Sequence, residues 1–370
     1  MSLEQMVYTR PNKDRINLNP LQTGGILTPE ARKVLVEFGD GYSVCDYCNG
    51  RLDQIDEPPI RKFVYDQLPK FLGSDIARIT GGARDGIFAV LHAITKPGDT
   101  IIVDGNKHYS TYVAAERAGL NIIQVPNSGH PEFKINVRDY EKLIKEHKPA
   151  VILLTYPDGS YGNLPDARTL GEIALRNNVP YIVNGAYAVG RMPIDMNSLG
   201  ADFIIGSGHK SMASSGPIGV VGMKKKWEEK VLRVSSCYKS KELEALGCTA
   251  RGASIMTMMA SFPYVRKRVA DWKKQVEKAR WFSEEMEKLG IIQLGEKPHN
   301  HDLMFFEAPG LFEASQTHKR GRFFLYDELQ KNNIWGIKPG LTKQFKISTF
   351  SASKEELEKV LGVFKEILKK

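Results

Sequence analysis

Residues 201–223 read ADFIIGSGHKSMASSGPIGVVGM. The stretch opens on one short apolar run, ADFIIGS (201–207), and closes on another, PIGVVGM (217–223). Between them a series of small residues carries one histidine, His209, and one lysine, Lys210. Runs of this length rich in Ile and Val and bounded by glycine read as buried strands. A solvated lysine needs no such setting. A lysine that must reach a carbonyl and form an imine does.

The same pattern extends toward the N-terminus. IARIT (76–80), TIIVD (100–104), LNIIQV (120–125), AVILLTY (150–156) and PYIVNGA (180–186) read as strands. They alternate with helical patterns, among them DGIFAVLHAIT, YSTYVAAERAG, NVRDYEKLIKEHKP and residues 166–177. This alternation predicts an α/β fold with a mostly parallel sheet covered on both faces. Ligands of such sheets sit at the carboxyl ends of the strands. Beyond residue 255 the pattern changes. A long charged helical stretch (256–290) is followed by strand candidates DLMFFEA and FKISTF and by a terminal amphipathic helix. We therefore expect an N-terminal arm over 1–60, a large domain over 61–254, and a linking helix with a smaller α+β domain over 255–370. In the arm, Thr28 is placed to cap a helix with Pro29 at its first position. The rest looks like a segment that packs against something else, such as a second subunit.

Composition is that of an ordinary globular protein: 370 residues, 42% hydrophobic and 26% charged. No apolar run approaches the roughly 20 residues of a membrane helix. The start MSLEQMVYTRPNKDR lacks the apolar segment of a signal peptide, so a cytoplasmic protein is expected. The net charge of +9 includes clusters at 224–226, 266–268 and 318–320. For any one cluster a solvated surface is the simpler reading. Together they could attract a polyanion such as nucleic acid. Four cysteines, Cys45, Cys48, Cys237 and Cys248, are too few for a disulfide scaffold.

Chemistry-bearing residues collect after the strands. TGGARDG (80–86) follows the first, and glycines that open a helix present backbone N–H groups to an anion. Ala83 and Arg84 lie there, Arg84 adding a fixed cation. His108 follows TIIVD and could stack on a flat ring. Asn184 ends PYIVN and could face a heterocyclic nitrogen. Ser207, Gly208, His209 and Lys210 follow FIIG. Each has an equally simple structural explanation, as a packing turn or a helix cap. As a set they describe a site for pyridoxal phosphate: a phosphate cup, a stacking histidine, a pyridine partner and a lysine for the Schiff base.

The order of these parts resembles the large domain of aminotransferase-like (fold type I) pyridoxal phosphate enzymes, and SGHK with GPIGVVG resembles their cysteine desulfurase branch. The segments TYPDGSYGNLPD, VNGAYAVGRMP, GSGHKSMASSGPIGV, CDYCNGRLD and GCTARGAS are similar to those of the O-phosphoseryl-tRNA:cysteinyl-tRNA synthase family, over essentially the whole chain. The resemblance implies that O-phosphoserine carried by tRNA(Cys) is converted to cysteine, with pyridoxal phosphate and a sulfur donor. It implies a homodimer with sites at the subunit interface, and the phosphoseryl-tRNA synthetase is a candidate partner. It implies that Lys210 is the Schiff-base lysine. It also implies that Cys45, Cys48 and Cys248 act in sulfur transfer, as persulfide carriers, as ligands of an iron–sulfur cluster, or as both. Cys237 matches nothing and reads as structural.

Two departures bear on this expectation. Most fold type I enzymes place an aspartate where Asn184 stands, so the ring here is expected to be a weaker electron sink, suited to a good leaving group. Related enzymes acting on free amino acids often use an arginine near the C-terminus to hold the α-carboxylate. QFKISTF has Lys346 there and no arginine, which favours an aminoacyl ester. The rival readings are a cysteine desulfurase-like lyase, disfavoured because no cysteine follows Cys248, a non-catalytic tRNA-binding protein, and an iron–sulfur carrier.

Overall fold

Every residue of Ile76–Thr80, Val151–Thr155, Tyr181–Asn184, Phe203–Ser207 and Gly219–Met223 is buried, as strands covered on both faces require. The computed structural model describes residues 15–43, 56–239, 241–246 and 252–369. Its strands are numbered in chain order: β1 Ile16–Asn17, β2 Ile76–Thr80, β3 Thr100–Asp104, β4 Asn121–Val125, β5 Val151–Thr155, β6 Tyr181–Asn184, β7 Phe203–Ser207, β8 Gly219–Met223, β9 Ile292–Leu294, β10 Leu303–Glu307, β11 Ile334–Trp335 and β12 Gln344–Ser348.

The main sheet has the order β2-β8-β7-β6-β5-β3-β4. It is parallel from β7 to β4, and β8 runs antiparallel to both of its neighbours. The reason lies in the connection. A parallel crossover takes a dozen or more residues, usually with a full helix. Residues 208–218 hold only the one-turn helix Gly208–Ser211, so the chain turns back on itself. Side chains alternate across the sheet. Ile102, Ile152, Leu154, Val183, Ile204 and Val220 pack on one face, and Ile101, Val103, Val151, Leu153, Ile205 and Val221 on the other. Fully burying each such side chain is worth about 1.5–3 kcal/mol.

A smaller α+β portion follows. β9, β10 and β12 form an antiparallel sheet whose core includes Phe306, Phe345, Ile347 and Phe364. The expected long helix is two helices, Gly252–Ala270 and Trp272–Lys288. Asp271 leaves helical geometry at ψ 12°. Trp272 turns into a small cluster with Met192 and Phe350, its ring 5.0 Å from His301.

Residues 15–43 pack on the chain itself rather than extending from it. β1 pairs with β11, Leu18 sits in the C-terminal core, and the Leu18 carbonyl accepts from the Ser348 amide at 2.9 Å. The segment then crosses to the lysine turn, where Ala213 N–H donates to the Gly24 carbonyl at 3.1 Å. A Cβ on Gly25 would lie 2.0 Å from the His209 carbonyl oxygen, so only glycine fits that approach. Thr28 caps helix Pro29–Glu37 by accepting from the Ala31 amide at 3.1 Å.

Candidate functional site

β2 delivers the chain to Gly82, whose φ of 131° is open only to glycine at low cost. Helix Ala83–Ile94 starts there, and its first-turn N–H groups face a cleft of about 220 Å³. Of the residues singled out in the sequence, Ala83, Arg84, His108, Ser207, His209 and Lys210 line this cleft. Asn184 and Gly208 do not. Asn184 is buried at the end of β6, with its amide N–H 3.4 Å from the Thr111 hydroxyl. Gly208 donates its N–H to the Ile218 carbonyl at 3.0 Å.

The cleft suits the phosphate of a cofactor in two ways. It is built on a helix N-terminus, where backbone donors and the dipole favour an anion. In addition, the Ser207 hydroxyl is fully buried and has no hydrogen-bond partner among the described residues, an orphan that a bound phosphate oxygen would satisfy. His209 is differently placed. Its Nδ1 lies 3.0 Å from the Ile218 carbonyl and 3.3 Å from the Ile218 amide nitrogen. Burial lowers its pKa, which favours the uncharged ring. His108 caps helix Tyr109–Arg117, accepting from the Ser110 amide at 3.3 Å. Burial, then the positive charges of Lys210, Lys346 and Lys338, pushes it down to about 4. It is therefore a flat, uncharged ring at neutral pH.

Lys210 also lines a second, larger cavity of about 600 Å³, shared with His108, Tyr109 and His209. Its far walls come from Asn19, Pro20 and Leu21 of the N-terminal segment and from Phe305, Lys338 and Lys346 of the C-terminal portion. The Lys210 ammonium lies 5.1 Å from the Tyr187 ring centroid. Burial, with Arg191 and Lys346 nearby, brings it down to about 8. Behind it Arg191 is fully buried, paired with Asp302 at 2.7 Å and donating to the Pro20 carbonyl at 2.7 Å. Sequence reading missed Tyr187, Lys338 and the Arg191–Asp302 pair. Tyr187 and Arg191 lie in VNGAYAVGRMP, whose strand-end position was the available signal. Lys338, in WGIKPG, carries none.

Cys45, Cys48 and Cys248 lie outside the described residues, and so does any cluster they would hold. Among the described residues no group of three His, Cys, Asp or Glu side chains could hold a metal ion. Cys237 is exposed, so the structural role read for it does not hold. No described helix is long and apolar enough to cross a membrane.

A lysine at the end of a central strand, opposite a helix N-terminal cup on this sheet, defines an enzyme of the fold type I class. Solved structures agree on the fold: the apo cysteine desulfurase of Thermococcus onnurineus aligns with TM-score 0.73 at 19% identity, covering 98% of this chain and 100% of that one. Much closer is a solved SepCysS–SepCysE N-terminal domain complex, with TM-score 0.93 and 45% identity over 99% of this chain and 98% of the other. The model of the family described as O-phosphoseryl-tRNA(Sec) selenium transferase, SepSecS, matches residues 40–369, and the chain belongs to that family. Among curated relatives, the O-phospho-L-seryl-tRNA:Cys-tRNA synthase of Methanosarcina acetivorans is 58% identical, covering 96% of this chain and 94% of its own.

Proposed function

We propose that this protein converts O-phosphoseryl-tRNA(Cys) to cysteinyl-tRNA(Cys), replacing phosphate at Cβ by sulfur. The observation that carries the reading is Lys210, a half-buried amine that opens into both the anion cup and the larger chamber. The names of the relatives supply the substrate. Gly82, Ala83 and Ser207 would hold the phosphate of pyridoxal phosphate, His108 would lie against its ring, and Asn184 would stand toward its nitrogen. When bound, the cofactor supplies an electron sink for negative charge developing at the substrate's Cα.

The chain's own residues do the rest. Lys210, with its pKa near 8, has a neutral fraction at neutral pH and takes the proton from Cα. The C–O bond at Cβ breaks with its electron pair leaving on phosphate, and a Cα=Cβ double bond forms. A sulfur nucleophile adds to Cβ, and Lys210 returns the proton to Cα. Pro20, Leu21 and Phe305 give the chamber apolar wall surface beside Lys210. Cys45, Cys48 and Cys248 would carry the sulfur. The outer sulfur of a persulfide on one of them would add to Cβ, and a second of these thiols would break the S–S bond. That leaves the product thiol and a cysteine–cysteine disulfide that an external thiol reduces, with an iron–sulfur cluster as another form of the carrier. A twofold homodimer would let the Cys45–Cys48 segment of one subunit serve the site of the other.

The test is phosphate release with sulfide present, comparing phosphoseryl-tRNA with free phosphoserine. Release from the tRNA ester alone, reduced at least about 100-fold by Lys210→Ala, is the expected outcome. Release from neither substrate by protein that holds pyridoxal phosphate would sink the reading.

A further inference from the structure

The larger chamber has a charge imbalance. Lys210, Lys338 and Lys346 all line it, and no aspartate or glutamate does among the described residues. Lys346 is not a surface lysine that drifted inward. It sits on β12 between Phe345 and Ile347, which point into the C-terminal core, so the strand's alternation directs it to the opposite face. There it pairs across the strands with Phe305, a wall of the chamber. Its ammonium donates to the Gly159 carbonyl. That loop is held in turn by Asp158, a fully buried carboxylate that accepts from the Ser160, Tyr161 and Asn163 amides at 2.8, 2.6 and 3.1 Å. Asp158 is held mainly by backbone donors, and its charge, just outside the chamber lining, offsets part of the positive charge at Lys346.

Two anions must be accommodated during the reaction, and the helix N-terminal cup serves the first. We propose that Lys338 and Lys346 form a second anion subsite, which holds the phosphoryl group of the substrate's O-phosphoserine and receives it as it leaves. This rests on the proposed reaction. The subsite faces Lys210 from the C-terminal side of the chamber, whereas Arg84 lines only the smaller cleft. A phosphate monoester carries more charge than a tRNA backbone diester, so a site with two ammonium groups on one chamber wall favours the monoester. Burial lowers the Lys346 ammonium to about 8, and a bound dianion would favour its protonated form.

The experiment is equilibrium binding of phosphoseryl-tRNA and of seryl-tRNA to full-length protein carrying Lys210→Ala, which prevents turnover. The phosphoseryl form is expected to bind about tenfold or more tightly. Adding Lys338→Gln and Lys346→Gln should collapse that preference to within about twofold while leaving seryl-tRNA affinity unchanged. Lys338→Gln alone alters an exposed residue, so a partial loss there reads the subsite without disturbing the fold. Lys346→Arg should retain the preference. A preference that survives the double change, a preference absent from the start, or an equal loss for both tRNAs would each overturn the proposal. The last would mark these lysines as backbone contacts. Phosphate release by the unmodified enzyme separates the two failures. If it turns over phosphoseryl-tRNA and the double variant keeps its preference, only the subsite is wrong.

Discussion

Asp104 shows how far a single side chain can depart from its ordinary behaviour without touching the reaction. It is fully buried at the end of β3. One carboxylate oxygen accepts from the Thr155 amide at 2.8 Å, and the other has no hydrogen-bond partner among the described residues. Burial raises it from 3.8 to about 7. Between those values the folded state holds a proton that the unfolded state has released. Stability is therefore fully present below about pH 4 and is lost as pH rises through about 7. Urea midpoints at about pH 5 and about pH 8 should show that loss in the unmodified chain. Asp104→Asn should show a smaller one. Asp158, raised to about 6 by burial, keeps part of the effect in the variant. Equal losses in both chains would mean that Asp104 does not titrate in this window. None of this was legible in TIIVD, where Asp104 reads as a strand-end residue like any other.

At the level of elements, the strand-to-helix turns carry the site, and the sequence announced them unevenly. TGGARDG, SGHK and the Asn184 position could be read because glycine and strand periodicity are local signals. Gly82 is the sharpest case. Alanine there would strain the backbone at a cost of about 1–3 kcal/mol and would bring a methyl within 3.6 Å of His209 Cε1. Gly82→Ala should weaken pyridoxal phosphate binding about tenfold or more, measured by equilibrium dialysis, with a smaller effect on the urea midpoint. Unchanged cofactor affinity would remove Gly82 from the cup. Other features could not be read. Whether Gly208 or Ser207 faces the cleft depends on which backbone group Ile218 takes, and the break at Asp271 depends on where Trp272 finds its pocket. Lys346 was noticed in QFKISTF for what it replaces. Its partner Lys338 emerges only once β11 and β12 are folded against β10 and the loop at Gly159.

Over the whole molecule, the +9 charge looked like the footprint of a polyanion, but the basic runs are largely engaged locally. Lys224 and Lys226 both pair with Asp202, Lys225 with Glu228, and Arg320 with Asp327. Arg268 is spent on the carbonyls of Gly190, Gly24 and Ser211. The remaining excess should still register in tRNA affinity. A plot of log affinity against log salt should slope at about −4 for about five phosphate contacts. A flat profile would place recognition in shape and base contacts.

The pairing of β1 with β11 joins residues 16–17 to residues 334–335. During synthesis residues 16–17 leave the ribosome long before residues 334–335. Leu18 and the wall residues Asn19, Pro20 and Leu21 must therefore wait, without their native neighbours, until the segments around residues 334–347 are made. Closing so long a loop is entropically slow. Strands β3 to β8 of the main sheet, by contrast, lie beside strands close to them in sequence and can assemble as they emerge. The chamber thus forms late, and a polypeptide ending before residue 334 would carry the lysine turn but not the enclosure around it.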